Sequence, residues 1–305
     1  MDQTPTMPPP PTRERCYRHP DVETGVHCTR CGRPICPDCM IPAPVGHQCP
    51  ECVADARREY RQGPGRQIAA ANLKATPVTK LLTLAIAIGY GWELIVSGDP
   101  SALLLGPDPL GLFQAGGAFA PAIAGGQWWR LVTAIFLHAG LIHLGMNALV
   151  LWIFGNALER EIGRLPMLAV FLATGIFASA ASYLFSPIGG VGVGASGAIF
   201  GVVGAFVTYN YLRRHNPLAG AQLRSAVTLL VLNLVIGFSV PAIDWRAHLG
   251  GLIAGLVLGY AVDPSRPPAV RRAMTVGGVL LVLGVAIAMT AIRTAQIQGD
   301  PTILI

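Results

Sequence analysis

Beyond residue 77 the chain is a succession of apolar stretches, each near the length of a bilayer's hydrocarbon core. A spanning helix needs roughly 20 mostly apolar residues. Backbone in lipid satisfies its N–H and C=O groups only within helices or closed barrels. Seven helical spans are predicted: Val78 to Ser97, Ile142 to Glu159, Leu165 to Phe185, Ser196 to Leu212, Ser225 to Val240, Ala247 to Val262, and Met274 to Ile292. Several are short and begin with small residues, which suits helices covered by neighbouring protein. Only 12% of the 305 residues are charged, about half the share in a soluble domain. The expected architecture is an all-α polytopic membrane body behind a small soluble head that holds the cysteines.

Basic residues set the orientation. Arg57, Arg58, Arg61, Arg66, Lys74 and Lys80 precede or open the first span. Arg160 and Arg164, then Arg213, Arg214 and Arg224, then Arg266, Arg271 and Arg272 fall between later spans on the same side. The opposite side holds Arg130, Arg246 and Arg293. The positive-inside rule places the N-terminus in the cytoplasm and, with seven spans, the C-terminus outside. A multi-pass protein of the plasma membrane is expected. The net charge of +6 is then a matter of topology, and no nucleic-acid partner is implied. Met1 to Thr12 is proline-rich and lacks an apolar core, so no cleavable signal peptide is expected.

Two polar residues stand out in this apolar background. Ser196 opens the fourth span within Gly194-Ala195-Ser196-Gly197, and His248 lies inside the sixth. An ionisable side chain within a bilayer is costly and marks a functional site by default. The predicted topology puts both residues at similar shallow depth near the outer surface. A hydroxyl and an imidazole brought together there make a nucleophile and its base. His143 and Asn147 are four apart, so they share a helix face. With the free Ser196 N–H at a helix start, they offer donors to an oxyanion. The bland alternative for any one of them is interhelical hydrogen bonding.

The pattern resembles the rhomboid family of intramembrane serine proteases over most of Val78 to Val262. The resemblance rests on Trp129-Arg130, His138-xxxx-His143-xxx-Asn147, Gly155-xxx-Glu159, Gly194-Ala195-Ser196-Gly197 and Ala247-His248-xx-Gly251-xxx-Gly255. It implies a six-helix core, here followed by a seventh helix, with Ser196 as nucleophile and His248 as general base. His143, Asn147 and the Ser196 backbone would form the oxyanion site, and Trp129 and Arg130 would belong to a long first loop. The implied substrates are single-span membrane proteins with helix-breaking residues near the outer surface and a small residue at the cut.

Other positions have more local readings. Gly251 and Gly255 form a small-xxx-small pattern that lets the sixth span approach another helix closely. Intramolecular packing is preferred to lipid-exposed dimerisation because the pattern starts three residues after His248. Phe200, one turn after Ser196, occupies a position where many family members carry tyrosine, and its ring can stack on His248. His138 is expected to make a structural hydrogen bond in the first loop. Glu93 should find a partner in the bundle, Glu159 should cap the cytoplasmic end of the second span, and His215 should be solvated. Glycines 189, 190, 192 and 194 leave room for water near Ser196. The segment from Phe238 to Trp245, with Pro241, suits a movable lid.

The head carries four ligand pairs in 37 residues: Cys16-xx-His19, Cys28-xx-Cys31, Cys36-xx-Cys39 and Cys49-xx-Cys52. In a cytosolic segment such pairs argue for metal over disulfides. Eight ligands suffice for two tetrahedral zinc ions, with His27 and His47 as spares and His47 an alternative to a neighbouring ligand. The spacing resembles cross-braced B-box-type zinc fingers, which implies that pairs one and three share a metal and pairs two and four another. Three uses stay open: recruiting a cytosolic protein, sensing zinc or redox state, or stabilising the N-terminus.

The expected organisation is a disordered N-terminus 1–14, a B-box-like zinc-binding domain 15–54 and a basic linker 55–77 able to touch anionic lipid. A six-helix core 78–262, a loop and seventh helix 263–293 and an external tail 294–305 follow. An α/β-hydrolase is excluded because Ala198 replaces the second glycine of the nucleophile elbow and no strands surround it. A transporter would line its spans with charges, and spans two to six have almost none. A rhomboid-like protein lacking activity would be expected to lose Ser196 or His248. No cofactor is expected for catalysis.

Overall fold

In a computed structural model the chain forms two compact units, 1–74 and 75–305. The structure describes residues 14–62, 76–99, 101–240 and 243–300. Arg66 and Lys74 of the expected linker, and Pro241 of the expected lid, lie outside them.

The head is built on short turns. Strand β1 (Glu14–Arg15) pairs antiparallel with β2 (Glu23–Thr24), and β3 (Ile41–Pro42) with β4 (His47–Gln48). Helix α1 (Pro50–Gln62) follows, with proline at the start, where its missing N–H costs nothing. The helix runs eight residues past the expected domain end at 54. Arg30 ties it to the head by donating to the Cys52 carbonyl (3.0 Å) and the Glu59 carboxylate (2.9 Å). Among the described residues the buried apolar set is six cysteines and Ile35, with Tyr17 and Met40 packed alongside.

The body opens with α2 (Pro77–Ser97). A long first loop holds α3 (Ala102–Leu105), α4 (Pro109–Ala115), β5 (Ala118–Phe119), α5 (Ala120–Ala124) and α6 (Arg130–Thr133). Then come α7 (Leu141–Val150), α8 (Asn156–Ile162), α9 (Arg164–Phe185), β6 (Val191–Gly192) and α10 (Ser196–Leu212). Helices α11 (Pro217–Ser239), α12 (Trp245–Ala261) and α13 (Pro268–Gln298) complete it. Among the described residues, five helical segments are long and apolar enough to cross a membrane: α2, Leu141–Ile162, α9, α11 and α13. Helices α10 and α12 have 17 residues each.

Three spans differ from their expected form. The second is not a uniform α-helix, because a π-helical turn at Leu151–Gly155 separates α7 from α8. Gly155 there lies against α2, where a Cβ would sit 2.9 Å from Thr79 Cγ2. The fifth starts at Pro217, not Ser225, since the Asn216 side chain caps the Leu218 and Ala219 N–H groups. The seventh is a 31-residue helix that outruns its apolar stretch at both ends.

Packing converges on α10, which contacts α9, α11 and α12. The α10–α12 contact is a seam of glycines. A Cβ on Gly251 would sit 1.9 Å from the Gly197 carbonyl oxygen, and one on Gly255 2.1 Å from that of Gly201. Gly259 continues the series, 2.7 Å from Ala205 by the same measure. Gly201 in turn receives Thr174 of α9. A larger residue at Gly251, Gly255 or Gly259 would separate the α10 and α12 backbones.

Glu159 does not cap its own span. Its buried carboxylate accepts from the Thr79 N–H (2.7 Å), the Thr79 hydroxyl (2.7 Å) and the Val78 N–H (3.1 Å). It caps the start of α2, whose first-turn donors have no partner within that helix. The far ends of α10 and α12 are joined by Arg213 and Asp263 at 2.6 Å. Despite burial, hydrogen bonds from Ser265 and Arg213 hold the Asp263 carboxyl below its ordinary range.

Candidate active site

Ser196 is the first residue of α10, and His248 lies one turn into α12. The glycine seam therefore sets their separation: Gly251 rests on Gly197, three and one residues from the pair. The Ser196 hydroxyl is 2.8 Å from His248 Nε2, the distance of a hydroxyl donating to an imidazole nitrogen. His248 is 8% exposed, so the contact is shielded from bulk solvent.

Phe200 and His248 stack with ring centroids 4.3 Å apart and planes 11° from parallel. Among the described residues, His248 Nδ1 has no hydrogen-bond partner. A stacked ring rather than a carboxylate thus fixes the imidazole plane. Gly237 of α11 backs onto this edge, where a Cβ would be 3.7 Å from Nδ1. Asp244 caps α12 through the Arg246 and Ala247 N–H groups (3.1 Å each) and binds the Ser182 hydroxyl.

His143 approaches Ser196 from α7. Its Nδ1 accepts the Ala139 N–H at 3.3 Å. A neutral imidazole has one donor and one acceptor, so this bond leaves the proton on Nε2. A Cβ on Gly194 would lie 3.1 Å from His143 Nε2 and 3.7 Å from Ser196 Oγ. The missing side chain of Gly194 leaves open the space between these two atoms, and its φ of +132° suits glycine alone. Asn147 donates to the His143 carbonyl at 2.9 Å, which leaves its second amide hydrogen for another acceptor. The N–H groups of the first turn of α10 lack acceptors within that helix.

His138 is fully buried, 5.1 Å from His143 in an edge-to-face contact. The expected structural hydrogen bond is not made by its ring, as both ring nitrogens lack partners among the described residues. The bond comes from its backbone, whose N–H donates to both oxygens of Glu93 (3.0 and 3.2 Å). Glu93 thereby gains its partner. Arg130 is buried and donates to the Phe113 carbonyl (2.7 Å), the Gly117 carbonyl (2.9 Å) and Gln127 Oε1 (2.7 Å), which ties the first loop together. Trp129 is exposed beside Trp128. Phe238 and Trp245 flank the expected lid with rings 4.8 Å apart, and His215 is exposed.

Sequence reasoning missed the α10 side of the seam at Gly201 and Gly204, and Gly259 on α12. Their three- and four-residue spacing was the available signal. It also missed the pairing of β5 with β6, which binds the first loop to the segment before Ser196.

The head brings the eight candidate ligands into two groups: Cys16, His19, Cys36 and Cys39, and Cys28, Cys31, Cys49 and Cys52. Ligand atoms within each group lie within 4.8 Å of one another. Tetrahedral zinc with bonds of about 2.3 Å to sulfur places its sulfurs about 3.8 Å apart. The Cys16–Cys39 and Cys31–Cys49 separations are 3.9 and 3.8 Å. His19 faces its group through Nδ1. The residues present fit a tetrahedral thiophilic metal. Burial opposes ionisation of Cys16 and Cys28, but backbone N–H donors outweigh it and bring both thiols to about 6. Burial and neighbouring thiols push Cys39 to about 11 and Cys52 to about 12. Neither His27, which meets Glu14 at 2.8 Å, nor His47 joins a group.

A polytopic helical bundle with a buried serine–histidine contact at the start of two abutting helices defines the class. A rhomboid domain model matches residues 125–265. The putative rhomboid protease YdcA of Bacillus subtilis (strain 168) is 38% identical over 138 residues, which cover 45% of this chain and 69% of that protein. The chain belongs to the rhomboid family and is a multi-pass membrane protein. Rhomboid protease GluP, also of B. subtilis, is 39% identical over 163 residues, 53% of this chain and 32% of its own length. Rhomboid-type serine protease 2 of Emericella nidulans is 35% identical over 160 residues, 52% of this chain and 31% of its own. The chain thus spans about a third of the length of these two relatives.

Proposed function

We propose that this chain is an intramembrane serine endopeptidase acting on single-span membrane proteins near the outer membrane surface. The observation that carries the reading is the 2.8 Å contact between Ser196 Oγ and His248 Nε2. The printed names of the relatives, which call them proteases, support it.

The chemistry follows from the geometry. His248 Nε2 takes the hydroxyl proton as Oγ attacks the scissile carbonyl. The charge that develops on the carbonyl oxygen meets the His143 Nε2–H, the free Asn147 amide hydrogen and the first N–H groups of α10. His248 then returns its proton to the leaving amine, and water hydrolyses the acyl-enzyme by the same route in reverse. Phe200 holds the ring while Arg130 ties the first loop together and the His138 N–H anchors its end to Glu93. The segment from Phe238 to Trp245 serves as the lid, and the glycines before Ser196 leave a path for water.

In this reading seven helices cross the plasma membrane with the N-terminus cytoplasmic. The head binds two structural zinc ions in a B-box-like cross-brace and presents a surface to a cytosolic protein. Purified protein in detergent should cleave a model single-span substrate. Ser196→Ala and His248→Ala should each lower the rate about 1,000-fold or more. Cleavage unchanged in either variant would leave an inactive helix-binding rhomboid as the better description.

A further inference from the structure

The last turn of α13 does something no lipid-facing helix requires. At 1.5 Å per residue its 31 residues extend about 46 Å, well beyond a hydrocarbon core of about 30 Å. Most large side chains along it, such as Val276, Leu280, Leu281, Ile287 and Ile292, are exposed, as on a surface facing lipid. Ile297, near its end, is completely buried. It inserts into a small core separate from the main one, with Ile123 and Ala124 of α5, Leu131 of α6 and Tyr183 of α9. Three polar contacts surround it. Gln298 Nε2 donates to the Ala124 carbonyl at 2.7 Å, and Arg293 donates to the Ser186 carbonyl at 3.0 Å. The Tyr183 and Thr294 hydroxyls lie 3.0 Å apart.

The two segments gripped in this way both lead to the site. Helix α5 follows β5, and Ser186 begins the connection to β6; these strands pair with Ala118 opposite Gly192. Two residues further on, the Gly194 N–H donates to the Ala134 carbonyl at 2.9 Å. Gly194 keeps open the space between Ser196 and His143. Leu131 is the neighbour of Arg130, which closes the first loop. We infer that the last turn of α13 is a positioning element for the proposed reaction: Ile297, held by Gln298 and Arg293, keeps the first loop and the approach to Ser196 in register. The inference rests on the protease reading. Because the small core is separate from the glycine seam, its loss should leave the serine–histidine contact folded while the oxyanion side loosens. A misplacement of about 1 Å can cost on the order of 100-fold in rate.

The test uses the full chain in detergent with Ile297→Ala, Gln298→Ala, their combination, Ile297→Val, and Leu280→Ala as a lipid-face control. Hydrogen exchange over 118–125 and 186–195 should accelerate in the double variant but not over α10 or α12. On a single-span substrate, kcat should fall about 10- to 100-fold, with KM within about twofold. Ile297→Val should retain most activity, and Leu280→Ala should match the parent. Unchanged exchange and kcat, or equal loss of protection throughout the body, would overturn the inference. A parent protein without Ser196-dependent cleavage would instead overturn the protease reading, and exchange would still decide whether the last turn holds the loop.

Discussion

The head and the helical body lack the same thing and make it up differently. A domain of some 50 residues buries little apolar surface and is marginal on that alone, and here the buried apolar residues among those described are six cysteines and Ile35. Helices in lipid gain nothing from hiding apolar surface from each other, because the tails around them are equally apolar. The head gathers eight potential metal-ligand atoms in two tight groups. The body substitutes close backbone approach, glycine against glycine, and a few buried polar clamps such as Glu159 on Thr79. In both, a few residues fix the geometry that many hydrophobic contacts fix in a soluble domain.

The largest expected effect is on the head. Structural zinc supplies about 10–16 kcal/mol to small fingers, far more than this interior could. A strong chelator should release about two zinc per chain and make 14–62 protease-sensitive, while Ser196-dependent cleavage persists. Release of one zinc or none, or a head still resistant after metal removal, would break the comparison by showing that the head has another source of stability.

The body should break at the seam. Gly255→Val places methyl groups where even a Cβ would be 2.1 Å from the Gly201 carbonyl. Overpacking typically costs 1–3 kcal/mol, and backbone on both sides leaves little room to relax. A loss of about 3 kcal/mol or more is expected, read as a lower thermal midpoint in detergent and loss of cleavage. Gly277 and Gly284 of α13 have open space at the Cβ position, so alanine there should be neutral or stabilise by up to about 1 kcal/mol. Equal effects at Gly255 and Gly284 would show that the seam is not what holds α10 to α12.

What the sequence disclosed follows the same division. The Cys/His pairs were legible because metal chemistry favours fixed residue types and spacings, and the side chains group as pairs one and three and pairs two and four, as the B-box resemblance implies. Ser196, His248, Gly251 and Gly255 stood out because polar and minimal residues are conspicuous in apolar surroundings. The π turn at Leu151–Gly155 was not legible, since one extra residue per turn leaves no compositional mark. Glu159 was assigned to the wrong helix end for a related reason. A carboxylate advertises that it will find free N–H donors, but its own sequence position does not say whose. Ile297 was hidden because an isoleucine in an apolar tail looks like any other lipid-facing residue until the loop it touches is placed.

The smallest effect compares two histidines. His19 is expected to be fixed by a metal bond through Nδ1; His248 is fixed by a ring stacked at 4.3 Å, with no partner at Nδ1 among the described residues. Aromatic stacking contributes about 0.5–1.5 kcal/mol beyond burial. Phe200→Leu preserves most of the volume but removes the flat face, so His248 should sample orientations in which Nε2 no longer meets the hydroxyl. Expressed in kcat, that energy is about a 2- to 12-fold loss, with the thermal midpoint nearly unchanged. Phe200→Tyr keeps the face and should cost less than twofold. If leucine were as good as phenylalanine, packing around His248 rather than the ring would be what orients it, and the contrast between a bonded and a stacked histidine would disappear. If tyrosine raised kcat several-fold, a hydroxyl at this position would be doing something that stacking alone does not provide.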